Sequence, residues 1–76
     1  MNALMKLQNL RPRPIADELK AWRFRHRLSQ AQAAAAAGFP HATWRGWELG
    51  RTAGNPGFVL ATLEAAGAEL KGNNHD

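Results

Sequence analysis

The sequence predicts an all-α domain, a compact bundle of four or five short helices, and three observations carry that expectation. Apolar residues recur at helical spacing along most of the chain, and no stretch alternates polar with apolar residues as a half-buried strand would. Glycine and proline fall between the periodic stretches, at Gly38, Pro40, Gly50 and Pro56, where they can stop one helix and open the next. The hydrophobic share is 45% of 76 residues, three tryptophans among them, which is enough apolar material to build one core. A chain of this length buries only about 60% of its unfolded surface, so each core contact matters.

Taken in order, residues 1–14 read as an arm. Leu4, Leu7 and Leu10 fit two helical turns, and the run Arg11-Pro12-Arg13-Pro14 then breaks the helix, because proline disfavours helical geometry in the residue before it. From Ile15 to Leu28 the pattern is helical, with Ile15, Leu19, Trp22 and His26 on one stripe. Asp17 and Glu18 near its start and Arg25 and Arg27 near its end complement the helix dipole. Ser29 can cap a second helix with Gln32 as its capping-box partner. Five consecutive alanines, Ala33 to Ala37, carry that helix to Gly38, a left-handed stop.

Pro40 suits the first turn of a third helix, which runs through Glu48 or Leu49 and stops at Gly50. Arg51 to Gly57 has loop composition, within which Asn55 caps a fourth helix opening on Pro56. The stripe of that helix is Phe58/Val59, Leu63 and Ala66, and Gly67 is expected to weaken or end it. Ala68-Glu69-Leu70 then reads as a short extended C-terminal piece, a strand of one segment, and residues 72–76 as a flexible tail. The expected organisation is an arm over 1–14, a domain over 15–71 and a tail over 72–76.

Composition excludes several classes of function. There are no cysteines, hence no disulfides, thiolate metal sites or cysteine nucleophiles, a usage that fits the cytoplasm. No apolar run approaches the ~20 residues that span a bilayer, and the first ten residues are too short and polar for a signal peptide, so no membrane contact is expected. No carboxylate pair stands at catalytic spacing, and His26, His41 and His75 lack metal-ligand spacing. The glycine-containing turns carry no phosphate-loop lysine, so neither an enzyme nor a bound cofactor is expected. A net charge of +4 and a pI of about 10.8 favour a polyanionic partner, nucleic acid ahead of anionic lipid.

Two short helices joined by a few residues with glycine at the turn have the form of a helix-turn-helix. The second helix must come close to the third, and Ala34 allows that approach. The other alanines leave volume that large neighbours must fill, since interiors are close-packed. Trp44 and Trp47 are therefore expected to point inward over Ala33 and Ala37, with Trp22 in the same core.

Leu19, Arg23, Leu28, Ser29, Gln30, Ala34, Gly38, Thr43, Trp47, Glu48, Gly50 and Arg51, in register without a gap, resemble the Cro/phage-repressor (Xre-like) helix-turn-helix domain. The later Asn55-Pro56-Gly57-Phe58 stretch looks like the opening of that family's following helix, its proline one residue late, and the resemblance covers roughly residues 15–67. Two residues depart from the pattern. Ala33 stands where the second helix usually has a core leucine, and Gly46 stands in the third helix where side chains are common. Gly46 lowers helix propensity by about 1 kcal/mol relative to alanine, and on an exposed face it would let a DNA backbone come close.

The resemblance implies a lambda-repressor-like bundle and a cytoplasmic, sequence-specific regulator of transcription, by default a repressor, that binds double-stranded DNA. The third helix, about residues 40–49, would lie in the major groove. Its base-reading positions fall on His41, Ala42, Arg45 and Gly46. Arg45 can grip guanine in bidentate fashion, Ala42 offers a methyl group to thymine, and Ala42 and Gly46 serve as close approaches rather than readers. His41 donates to a phosphate or purine, or is simply solvated. Phosphate contacts fall on Ser29 and Gln30, helped by the amides of a helix N-terminus, on Thr43, which alternatively caps and packs within its own helix, and on Arg51. Lys20, Arg25 and Arg27 broaden the basic face, and Arg11 and Arg13 form either a minor-groove arm or a merely disordered one. Arg23 and Glu48 correspond to an ion pair tying the first helix to the third.

Regulators of this size commonly bind as homodimers on half-sites about 34–36 Å apart. The fourth helix, the Gly67-Ala68-Glu69-Leu70 segment or residues 2–10 are each open as the interface. Too few residues follow Leu70 for a ligand-sensing domain, so regulation is expected through abundance, proteolysis or a partner. The alternative from another class is an antitoxin-like module that binds a toxin and contacts DNA only to regulate itself. A third is single-strand binding through exposed tryptophans.

Overall fold

The punctuating residues set where each helix starts and stops in the computed structural model, which describes residues 14–73. The chain forms α1 (Ile15–Arg25), α2 (Gln30–Ala37), α3 (His41–Glu48) and α4 (Pro56–Asn73). The arm expected before Pro14, Arg11 and Arg13 included, and residues 74–76 lie outside the described residues.

The first three helices end alike. In each, a residue with positive φ turns the chain so that two N–H groups reach back to carbonyls of the last turn, satisfying acceptors that a helix end leaves open. At α2 this is Gly38, φ 85°, with Phe39 N–H donating to Ala34 O at 2.9 Å. At α3 it is Gly50, φ 110°, with Arg51 N–H donating to Gly46 O at 2.9 Å. At α1 the position is held by Arg27, φ 58°, with Leu28 N–H donating to Arg23 O at 3.0 Å. This closure ends α1 at Arg25 rather than at the expected Leu28. A left-handed conformation costs a residue with a Cβ about 1 kcal/mol. Arg27→Gly is therefore expected to raise stability by about that amount, read as a shift in the urea midpoint at unchanged slope.

The start of each helix follows its capping residue. Ser29 Oγ accepts the Gln32 N–H at 3.1 Å while Gln32 Oε1 accepts the Ser29 N–H at 2.9 Å, the expected capping box. Pro40 precedes the first residue of α3 rather than lying within its first turn. Asn55 Oδ1 accepts the Phe58 N–H at 3.0 Å, so Asn55 caps α4 and Pro56 opens it.

The C-terminal segment corrects the sequence expectation. α4 runs through Gly67 to Asn73, so Ala68 to Leu70 is helix and no strand occurs among the described residues. The reason is where Gly67 sits. It is buried against α1, and a Cβ there would lie 3.3 Å from both Trp22 Nε1 and His26 Nε2. Glycine lets α1 and α4 approach, and that packing outweighs its low propensity. Leu70 packs on the core and holds the following turn in place.

The core comprises Leu19, Trp22, Ala33, Ala34, Trp44, Ala53, Val59, Leu63 and Ala66. Leu19, Ala33 and Trp44 are wholly buried, and the Trp22 and Trp44 rings lie 6.0 Å apart. Ala33 and Trp44 thus both belong to the one core cluster. Trp47 is only half-buried, its ring edge against Phe39 at 5.1 Å, so of the two indoles expected inside α3 one is fully inward. Phe58 is likewise exposed while its neighbour Val59 is buried, since adjacent helical residues lie about 100° apart and cannot share one stripe.

Candidate nucleic-acid interface

α3 has a sharp division of labour around its axis. His41, Ala42 and Arg45 are exposed, whereas Trp44, Gly46 and Glu48 are buried. Residues one turn apart share a face, so His41, Arg45 and Leu49 form one outward row with Ala42 beside it. Leu49 is 79% exposed in this row and was not singled out from the sequence. Its signal was present as an apolar side chain one turn beyond Arg45 on a polar face.

The opposite side of α3 is fixed by Glu48. Its carboxylate accepts four hydrogen bonds: from Arg23 Nε at 2.8 Å, Arg23 Nη2 at 3.0 Å, Gln30 Nε2 at 3.0 Å and Trp44 Nε1 at 2.6 Å. The remaining Arg23 nitrogen, Nη1, donates to Leu28 O at 3.4 Å. The Arg23–Glu48 pair implied by the resemblance is therefore present, and it is the centre of a larger cluster joining α1, α2 and α3. Burial pushes the Glu48 carboxyl up, but the bonds from Arg23, Gln30 and Trp44, with the charge of Arg23, outweigh it and hold the group below the usual carboxylate range. The bond to Glu48 in turn raises the Arg23 guanidinium. A carboxylate with all its lone pairs engaged is the arrangement that makes burying a charge tolerable.

Gln30 consequently has a different immediate partner from the expected phosphate. One hydrogen of its amide is committed to Glu48, which holds the side chain at the first residue of α2. The second hydrogen and the amides of the first α2 turn are what an anion would meet. Ser29 is exposed, and its hydroxyl accepts within the capping box, leaving its proton free to donate outward. Thr43 is half-buried, and His41, Ala42, Arg45 and Arg51 are exposed.

Gly46 departs from expectation. It is buried rather than open, because the Arg51 stem lies across it: a Cβ at Gly46 would stand 3.1 Å from Arg51 Cδ. Arg51 follows the left-handed Gly50, and its N–H bonds back to Gly46 O. Residues in this pair of positions commonly touch at a helix end, and here the missing side chain makes room for an arginine stem. Gly46 thus seats Arg51 rather than offering its own backbone to a ligand.

Among the described residues no helix is long and apolar enough to cross a membrane. A family model described as a helix-turn-helix domain matches residues 14–71, well over half of the chain. No curated protein and no solved structure matches it.

Proposed function

Because the chain belongs to the helix-turn-helix domain family, we propose that it is a sequence-specific double-stranded-DNA-binding regulator of transcription, a repressor of the Cro/phage-repressor (Xre-like) kind acting in the cytoplasm. α3 enters the major groove. Arg45 reads guanine, Ala42 and Leu49 offer apolar contact to thymine methyl groups or sugars, and His41 donates to a base edge or phosphate. Ser29, Gln30, Thr43 and Arg51 meet the backbone on either side. The observation that carries this reading is the anchoring of α3 through Trp44 and Glu48 on one side while Arg45 stands free on the other. Two copies acting on half-sites one helical turn apart match the small footprint of a single α3.

Trp22 and Trp44 are buried, so they offer no platform for stacking unpaired bases. Selecting bound duplexes from a random pool, then measuring retardation of the selected duplex, a scrambled duplex and a single strand, tests the proposal. The selected duplex should bind tightest, and its binding should weaken steeply as salt is raised from about 50 to 200 mM, reflecting counterion release. Equal binding of all three would overturn it.

A further inference from the structure

A cleft of about 280 Å³ lies between the end of α1 and the middle of α4, with no residue of α2 or α3 among those lining it. Its floor is Gly67, and Trp22, Arg25, His26, Glu64 and Lys71 stand around it. Trp22 is only 5% exposed, and its indole N–H meets no acceptor among the described residues. No fully buried side-chain nitrogen or oxygen is left without a partner there, so this N–H opens into the cleft. The His26 ring lies tilted against the same indole at 4.7 Å, and a Cβ on Gly67 would stand 3.3 Å from both Trp22 Nε1 and His26 Nε2, so the two nitrogens lie side by side over Gly67. The indole nitrogen can only donate, and the imidazole nitrogen donates in its Nε2–H form. Arg25 and Lys71 add two cations against the single carboxylate of Glu64.

We infer that this cleft binds a carboxylate. One oxygen takes the indole N–H and the other the imidazole, with Arg25 and Lys71 supplying the charge, and glycine is needed at position 67 because a methyl group there would crowd both nitrogens. The indole N–H is open to the cleft and has no protein acceptor among the described residues, and a charge-assisted bond is the strong way to engage such a donor. The carboxylate comes either from a small organic acid or from an acidic side chain of a protein segment. The inference concerns α1 and α4 alone and does not depend on what α3 reads.

The test follows the Trp22 indole proton by 1H–15N spectroscopy, assigned through its proximity to the Gly67 α-protons, at constant ionic strength. Succinate and a glutamate-rich peptide are titrated separately. Saturable downfield movement with either supports the site, and the tighter of the two identifies the source. Gly67→Ala should abolish the response, and Lys71→Gln should weaken it about tenfold, the loss of one charge-assisted contact. Should Gly67→Ala fail to fold, Lys71→Gln decides alone, since Lys71 is exposed. No movement with either titrant, equal movement with succinamide or inorganic phosphate, or unchanged affinity in Lys71→Gln would overturn the inference.

Discussion

Glu48→Gln is expected to cost about 3–5 kcal/mol, the range for breaking a buried ion pair on one side only. The substitution is nearly isosteric, so the loss is electrostatic. Every group facing the carboxylate is a donor: Arg23 twice, Gln30 and Trp44. Glutamine would replace one acceptor oxygen with an NH2 group pointing at two of these donors and would leave the Arg23 guanidinium without a counter-charge. Set against the roughly 5–15 kcal/mol that holds typical domains together, this is a large fraction, and the melting temperature should fall by on the order of 20 °C. Glu64→Gln, on the exposed side of α4, should change stability by no more than about 0.5 kcal/mol. Equal effects would refute the assignment.

Acid provides an independent reading of the same group. The carboxyl of Glu48 is held low in the folded protein, so its contribution is complete above the ordinary carboxylate value of about 4.3. It is lost as pH falls through the depressed folded value. Wild-type stability should therefore drop on acidification from about pH 5 downward, and the Glu48→Gln variant, already without the interaction, should show a shallower acid limb.

The parts of this fold legible in the sequence are those governed by local chemistry. The capping box at Ser29, the cap at Asn55 and the left-handed stops at Gly38 and Gly50 each depend on residues within a few positions of one another. The parts that were not legible depend on contacts between distant segments. Gly67 reads as a helix terminator until Trp22 and His26 are brought against it. Gly46 reads as an open surface until the Arg51 stem covers it, and α1 appears longer than it is because arginine seldom takes the turn that Arg27 takes. At the candidate interface, the Arg23–Glu48 pair followed from family resemblance, but the participation of Trp44 and Gln30 did not. Trp44 was within reach of inference, since it lies one helical turn before Glu48. Gln30 was not, because its approach to Glu48 requires the angle between α2 and α3.

Arg45→Ala and Arg51→Ala should weaken duplex binding in two distinguishable ways. Arg45 stands exposed in the outward row of α3, where a bidentate contact to guanine is worth about 1–3 kcal/mol of discrimination. Its removal should therefore lower affinity for the selected duplex by up to about a hundredfold, barely alter affinity for a scrambled one, and flatten preference at a single base position. Arg51 emerges from the loop after α3 with its stem laid over Gly46, and in the proposed docking its charge would meet the phosphate backbone. Its removal should weaken selected and scrambled duplexes alike and reduce the salt slope by about 1. Arg45 is exposed, and its removal should not change stability by more than about 0.5 kcal/mol; Arg51→Ala also uncovers Gly46, so binding of both variants is compared at a temperature where each is fully folded. If Arg45→Ala instead produced the uniform loss and Arg51→Ala the loss of sequence preference, the loop rather than α3 would be the reading element. The proposed docking of α3 in the major groove would then be wrong even though the protein bound DNA.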